Sequence, residues 1–452
     1  MKNRITILGA GESGTGAALL AKAKGFDVFV SDMGSIQEKY MYMLFHNDIL
    51  FESGKHTEEQ ILDAELVVKS PGIPEKADIV KKIRQKGIPI ISEIEFAAKY
   101  TQAKFVAITG SNGKTTTTLL AYHMLKDLGL NVGLAGNIGD SLAAQVIEDR
   151  HEWYVLELSS FQLDDMYEFK ADVAVLLNIT KDHLDRYEYN FDNYINSKFR
   201  IIQNMKAGDH FIFFADDPVV NEEVQKREVK PSSWGISLKE PLSGGAWMEL
   251  NRLFFDVNAG KGKFYLNTDE LPLKGKHNMI NVMAASLIAA VLGMNPSKFQ
   301  QAINGFSSVS HRLEEVGEVN GVTFVNDSKA TNVDAVWYAL DSFPGNIVWI
   351  AGGVDKGNEY EQLHTLVRKR VKALVCMGKD NSQLKKAFDG IVKTIKETDN
   401  INAAVETAFQ LANEGDVVLL SPACASFDLF KNYEDRGERF KKAVHDLARS
   451  VS

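Results

Sequence analysis

Eleven short apolar runs, separated by stretches of helical pattern, constrain this chain more than any other feature. RITILGAG, FDVFVSD and ELVVKSPG come first, followed by KFVAITG, NVGLAG, WYVLELSS and DVAVLLNI. After residue 310 come VTFVND, NIVWIAGG, KALVCMG and DVVLLSP. Near-continuous Val/Ile/Leu runs predict strands buried on both faces, hence parallel sheets covered by helices. Many of the runs end in small or polar residues, at the strand ends where open α/β sheets place their ligands.

At 452 residues the chain exceeds a single core, and about 150 residues per domain gives roughly three. The rhythm changes near 84–104, residues 230–275 read as short antiparallel hairpins, and 300–312 read as a hinge. The expected units are therefore 1–93, 94–308 and 309–452. A net charge of −9, spread along the chain, argues against a nucleic-acid backbone as partner. The two cysteines, Cys376 and Cys424, cannot build a thiolate zinc site, and their apolar contexts predict buried, inert thiols. No apolar run approaches the roughly 20 residues needed to span a bilayer. MKNRITILGAG enters a strand directly, so a cytoplasmic protein without membrane insertion is expected.

The run FVAITGSNGKTTTTLL, 105–120, sets two glycines, a lysine and a string of hydroxyls between a strand and a helix. The standard phosphate loop would need glycine at 108, where Ile108 stands; Gly110 comes two residues later. Backbone N–H groups of such a turn and the following helix N-terminus still offer an anion cradle. Lys114 can reach terminal phosphates and Thr115 can give an oxygen to Mg²⁺. The plain alternative is a Gly/Ser-rich turn before a threonine-capped helix. Glu157, ending WYVLE, is placed as a second Mg²⁺ holder, or else as an exposed loop acid. NITKDHLDRY brings Asp182, His183 and Asp185 to another strand end, where His183 is equally a packing residue or a metal ligand. In DNYINSKFRIIQNM, Lys198 shares a helical stripe with Tyr194 and Ile202. A charged amine there must be neutralised, paired or carried outward on its stem. Helical geometry alone favours the outward reading.

The N-terminal turn, Gly9-x-Gly11-x-x-Gly14, follows a strand, and Asp32 lies 21 residues beyond Gly11. This dinucleotide-type pattern predicts a diphosphate at the turn and a ribose or base near Asp32, without demanding NAD. Glu12 must then point away from the diphosphate. Beyond residue 310, HRLE, NDSKATN, GGVDKG and SPACASFDLFKNYEDRG all fall at or near strand ends. Four such clusters on one edge predict a site for an anionic small molecule.

With these pieces in order, the chain resembles the Mur ligase family over essentially its whole length. TGSNGKTT is the family's form of the phosphate loop, which makes Ile108 a family variant. NDSKATN and SPACASFDLFKNYEDRG point to the D-glutamate-adding branch. The resemblance implies an α/β protein of three domains: an N-terminal Rossmann-like domain, a central P-loop ATPase-type parallel sheet with a small antiparallel β subregion, and a C-terminal Rossmann-like domain. It implies an ATP-dependent ligase in which a substrate carboxylate takes the γ-phosphate and an amine then displaces phosphate. The substrates would be UDP-N-acetylmuramoyl-L-alanine and D-glutamate, joined by a monomer in peptidoglycan precursor synthesis.

By the same resemblance, ATP would be held by Gly110, Ser111, Asn112, Gly113, Lys114, Thr115 and Thr116, with Asn278, Arg312 and Asp327. Thr115 and Glu157 would hold one Mg²⁺ and His183 a second. Lys198 would carry a CO₂-derived carbamate helping to hold the metal, which reverses the outward reading. The UDP moiety would lie on the backbone of Gly11, Glu12 and Ser13, on Asp32, on Ser70, Pro71 and Gly72, and on Asn137. D-glutamate would meet Lys329, Thr331, Lys356, Ser426, Phe427 and Tyr433, with Lys356 pairing one carboxylate. Tyr433 stands where the family pattern has Phe, and Glu12 where it has an aliphatic residue.

Overall fold

Each of the eleven apolar runs forms a strand in the computed structural model, which describes residues 3–257, 262–306, 310–355 and 357–451. The first sheet holds β1 (Arg4–Leu8), β2 (Asp27–Asp32), β3 (Leu50–Ser53), β4 (Leu66–Lys69) and β5 (Ile90–Ile91). All are parallel, in the order β3-β2-β1-β4-β5 of a doubly wound sheet. The helix Glu12–Ala23 packs tightly onto the first turn: a Cβ on Gly14 would lie 1.9 Å from Gly9 O.

The second sheet holds β6 (Lys104–Thr109), β7 (Val132–Gly136), β8 (Trp153–Glu157), β9 (Val173–Leu176), β10 (His210–Phe214), β11 (Ser232–Ser237), β12 (Gly245–Glu249), β13 (Arg252–Asp256) and β14 (Lys263–Asn267). Their order is β14-β13-β12-β11-β10-β9-β6-β8-β7. The hairpin reading of 230–275 needs correction in its first half. β11 runs parallel to β10 and β12 parallel to β11, so only β12, β13 and β14 form the antiparallel subregion.

The third sheet holds β15 (Glu314–Val319), β16 (Val322–Asn326), β17 (Ile347–Ala351), β18 (Val371–Met377), β19 (Ile395–Thr398) and β20 (Val417–Leu420). Its order is β15-β16-β20-β17-β18-β19, parallel except for the antiparallel edge strand β15. The loops after β16, β17 and β20 therefore leave from one edge of the sheet.

The three sheets pack as two compact units, Met1–Glu270 with Ile280–Phe306, and Leu271–Met279 with Ser307–Ser452. The 93/94 boundary expected from the sequence falls inside the first unit. One continuous apolar core there runs from Ile5 and Val30 through Ile94 and Phe96 to Phe105 and Tyr154. Polar groups reinforce the join. Glu93 accepts from Ser141 Oγ and Ala143 N across it. Lys69 and Asp165, both buried, pair at 2.9 Å, and breaking such a pair costs about 3–5 kcal/mol. Within the expected hinge, 307–309 lie outside the described residues. Cys376 and Cys424 are free and buried, and burial pushes their thiols up to about 12 and about 11. Among the described residues, no helix is long and apolar enough to cross a membrane.

Glu93 begins the helix Glu93–Ala98 and accepts from Ser141 Oγ (2.7 Å) and Ala143 N (2.6 Å). Burial raises its carboxyl from the ordinary 4.5 to about 7. Between these values the unfolded chain gives up the proton first, so this group withdraws stability as pH rises. Glu93→Gln keeps an acceptor and cannot ionise. Urea unfolding at about pH 5 and about pH 7.5 should show the variant losing less stability than the wild type, by at most about 3 kcal/mol. Identical slopes in the two proteins would refute this.

Candidate active site

β6 lies in the middle of the second sheet, and the chain turns from it through 110–113 into the helix Lys114–Asp127. Gly113 takes φ of +84°, and a Cβ there would stand 2.8 Å from Asn281 Oδ1, so glycine is required. The loop is tied to the chain leaving β9. Ser111 N donates to Asn178 O (2.8 Å), Asn112 N to Asn178 Oδ1 (2.7 Å), and Asn178 Nδ2 back to Asn112 O (3.1 Å). Ser111 Oγ accepts from Thr180 N (2.9 Å) and lies 3.1 Å from the Tyr194 hydroxyl. Thr115 and Thr116 are buried in the first helical turn, and Thr117 Oγ1 donates to Asn281 Oδ1 (3.0 Å). Sequence reasoning missed Asn178 and Asn281. The signal for Asn178 was its place at a strand end beside the phosphate loop.

Lys114 Nζ donates to Gly110 O (2.7 Å) and Ser111 O (2.9 Å). Lys198 Nζ donates to the same Gly110 O at 2.8 Å and sits 4.7 Å from the centre of the Tyr194 ring. With Lys198 only 1% exposed, the outward reading of its side chain is corrected. The helix Phe191–Phe199 buries Tyr194, Ser197 and Lys198 together, and Ser197 Oγ donates to Ser160 O (3.0 Å), which fixes that face inward. Burial drives the Lys198 amine well below the ordinary lysine range and the Lys114 charge adds to this, while Asp182, Asp164 and Glu157 oppose it. The exposed-loop reading of Glu157 is corrected too. Glu157 ends β8, is 1% exposed, and accepts from Asn137 Nδ2 at 2.9 Å. Two residues expected in separate roles are thus in direct contact.

His183 adopts φ of +53°, its backbone N–H donating to Asp182 Oδ1 (2.9 Å) and its Nε2 3.5 Å from Asp182 Oδ2. Its ring meets Phe161 edge-on at 5.1 Å. Among the described residues, no three His, Cys, Asp or Glu side chains gather closely enough to hold a metal ion. The donors present suit Mg²⁺ instead, an ion usually held by one or two carboxylates together with phosphate oxygens and water.

In the first sheet, the 9–14 turn and the 70–72 turn meet between β1 and β4, where the strand order reverses. Ser70 N donates to Leu8 O (2.9 Å). Asp32 accepts from Ala10 N (2.7 Å) and Gly34 N (2.8 Å), so its carboxylate braces the turn. Glu12 accepts from the Tyr40 hydroxyl (2.9 Å) and lies 3.9 Å from Lys39 Nζ, engaged on the helix 38–46 side. Gly11 is exposed with open space where a Cβ would stand, and Ser13 is half-buried. Pro71 and Gly72 offer their carbonyls to Arg186 at 3.2 and 3.4 Å.

In the second unit, Asp327 follows β16, accepts from Ser421 Oγ (2.8 Å) and Leu313 N (3.3 Å), and is pushed up to about 7 by burial against the opposing charges of Arg312 and Arg436. Lys329 Nζ donates to the Tyr433 hydroxyl at 2.9 Å. The residue that departs from the family pattern is therefore bonded to an expected site lysine. Arg436, fully buried and not foreseen, donates to Ser328 Oγ (3.0 Å), Ser328 O (2.8 Å) and Cys424 O (3.2 Å). It joins the loops after β16 and β20 to the helix Tyr433–Val451. Ser426 is buried and Thr331 half-buried, whereas Phe427 is 72% exposed and packs into no core. Asn278 donates to Lys274 O (2.8 Å) within the Leu271–Met279 segment. Lys356 lies outside the described residues.

Family models match three stretches of the chain: the Mur ligase MurD-like N-terminal domain at 3–92, the Mur ligase middle domain at 108–289, and the Mur ligase glutamate ligase domain at 311–424. A UDP-N-acetylmuramoylalanine–D-glutamate ligase from Cytophaga hutchinsonii is 55% identical over 451 residues, covering 99% of this chain and 100% of the relative. One from Bacteroides fragilis is 52% identical over 445 residues, covering 98% and 100%. The chain belongs to the Mur ligase family. Two solved structures share the fold of this Mur ligase. The UDP-N-acetylmuramate–alanine ligase of Thermotoga maritima has a TM-score of 0.63 at 20% identity, covering 98% of this chain and 99% of its own. The MurF ligase of Thermotoga maritima, in complex with ADP, has 0.59 at 19% identity, covering 94% and 97%.

The lowered pKa of Lys198 gives this Mur ligase a pH signature. Between its folded value and the ordinary 10.5, the unfolded chain binds a proton that the folded one does not, so this group adds stability as pH rises. In carbonate-free buffer, Lys198→Met should hold its largest stability advantage at about pH 7 and lose it toward about pH 10. Unfolding profiles that stay parallel across that range would contradict the burial argument.

Proposed function

We propose that this chain is the ATP-dependent ligase that joins D-glutamate to UDP-N-acetylmuramoyl-L-alanine in peptidoglycan precursor synthesis. The observation that carries the reading is full-length identity of 55% and 52% to two ligases named for that reaction. The buried lysine beneath the phosphate loop supports it from the side of chemistry.

The substrate carboxylate attacks the γ-phosphorus of ATP, forming an acyl phosphate and releasing ADP. The amine of D-glutamate then attacks the acyl carbon, phosphate leaves with the C–O bond electrons, and the nitrogen loses a proton. Such transfers depend mainly on positioning and charge neutralisation. The 110–113 backbone cradles phosphate, and Lys114 turns from its loop carbonyls toward it. Thr115 and Glu157 would hold one Mg²⁺ and His183 a second, and these ions would supply charge neutralisation at the transferred phosphoryl group. Asn278, Arg312 and Asp327 keep their expected role toward ATP. The two turns at the β1/β4 switch point, with Asp32 and Asn137, take the UDP-substrate. Lys329, Thr331, Lys356, Ser426 and Tyr433 take D-glutamate; the exposure of Phe427 fits an edge contact.

The role assigned to Lys198 is supported by its burial, which lowers the amine well below the ordinary lysine range. A neutral amine adds to CO₂, forming one N–C bond and releasing one proton, which leaves a carboxylate where a cation stood. That carboxylate would help to hold the metal. After equilibration with ¹³C-bicarbonate, the protein should show a carbamate carbon signal that Lys198→Ala lacks, and that variant should lose most activity. Full turnover by Lys198→Ala would remove the carbamate from the mechanism.

The functional reading itself is tested by phosphate release from ATP with UDP-N-acetylmuramoyl-L-alanine and single amino acids, D- and L-glutamate side by side. Turnover with D-glutamate alone is expected. Release with another amino acid, and none with D-glutamate, would reject the assignment.

A further inference from the structure

Arg186 closes the turn Leu184–Arg186, three residues beyond His183, and none of the roles above uses it. Its Nη2 donates to Pro71 O (3.2 Å) and reaches Ile73 O at 3.5 Å, while Nη1 lies 3.4 Å from Gly72 O. Its guanidinium also covers the face of Phe161 at 4.2 Å, and Phe161 meets His183 edge-on at 5.1 Å and stacks on Tyr187 at 6.0 Å. From the opposite side, Lys69 donates to the same Ile73 O at 3.0 Å while paired with the buried Asp165 at 2.9 Å. The 70–73 turn has little regular structure of its own. One backbone bond, Ile73 N to Ser70 O at 3.1 Å, closes it, and Pro71 has no N–H to contribute. Beyond Ser70, whose N–H is tied to Leu8 O, the turn is held by two cations, Lys69 at the end of β4 and Arg186 on the His183 turn.

We propose that Arg186 is a positioning residue for the ligation: it fixes the 70–73 turn of the first sheet against the His183 turn of the second. This rests on the functional reading above, in which the 70–72 turn carries the UDP-substrate and His183 is a residue for Mg²⁺. A guanidinium is needed because its planar fork can serve three carbonyls and a ring face at once, which an ammonium cannot. A carboxyl group brought in by the UDP-substrate is thereby held at a set distance from the phosphoryl group it attacks. A displacement of about 1 Å at such a step can cost about 100-fold in rate.

A purely architectural arginine and a positioning one differ in what they do to the two substrates. Arg186→Ala should raise KM for the UDP-substrate at least about tenfold, the loss expected from charge-assisted hydrogen bonds, with KM for ATP unchanged. Arg186→Lys, which restores one donor, should recover part of the loss. Deuterium uptake by the 69–77 segment should rise in Arg186→Ala while that of 108–118 stays at the wild-type level. Unchanged KM with a lowered melting temperature, or an equal rise in both KM values, would overturn the proposal. Should Arg186→Ala fail to fold, Arg186→Lys with wild-type KM for the UDP-substrate overturns it equally. A wild-type protein that does not turn over defeats the functional reading and the substrate half of this proposal with it. A wild type that does turn over, beside an unaffected Arg186→Ala, defeats the proposal alone.

Discussion

Two lysine amines share one carbonyl oxygen, and the chemistry of the site is arranged around that geometry. Nζ of Lys114 and of Lys198 lie 2.7 and 2.8 Å from Gly110 O, hence at most about 5.5 Å apart. Two ammonium ions at that separation repel by about 3 kcal/mol at an effective dielectric of about 20. Desolvation falls harder on Lys198, which is buried, than on Lys114, which is half-exposed, and it lowers the Lys198 amine well below the ordinary lysine range. The carboxyl groups of Asp182, Asp164 and Glu157 favour its charged form without reversing that shift. Burial is the larger cause of this shift and the Lys114 charge the smaller.

The sheets were largely legible in the sequence, and the strands that were not share a physical cause. All eleven continuous apolar runs are strands flanked by helices. Of the strands outside those runs and the 230–275 region, β3, β5, β15 and β19 lie at sheet edges. An edge strand has a neighbour on one side only and is short or half-exposed, so it carries no long Val/Ile/Leu signature. LFES and IKET show this directly. β10, HFIFF, is interior and its run is continuous, but it is built on phenylalanine instead of β-branched residues. The hairpin reading of 230–275 failed for a related reason. Short strands with polar ends look the same whether a neighbour pairs parallel or antiparallel, and only register decides.

For the site, turn chemistry was readable and side-chain direction was not. The glycine spacing located both phosphate-type turns, since φ and close approach act locally. Lys198 was placed on the correct stripe of its helix, but a helical wheel does not say what covers the stripe. Here the covering element is the 110–113 loop, eighty-eight residues away in sequence. The Asn137–Glu157 contact and the clasp between Asn112 and Asn178 are likewise made by neighbouring strands, distant in sequence. Tyr433 was noticed as a departure, yet its hydroxyl has a use that phenylalanine could not supply, a bond from Lys329.

The scatter of acidic groups completes the physical picture. Glu157, Asp164 and Asp182 all bear on Lys198, yet no three acidic or imidazole side chains converge among the described residues. Each acid is instead held by a donor of its own: Glu157 by Asn137, Asp164 by the Tyr187 hydroxyl at 2.8 Å, Asp182 by the His183 backbone N–H. Crowding three carboxylates together would raise their pKa values and weaken each as a ligand. Holding them apart on neutral donors limits the density of negative charge at any one point of the site. A loop that carries Lys114 and opens a helix N-terminus offers the opposite field, one suited to an anion.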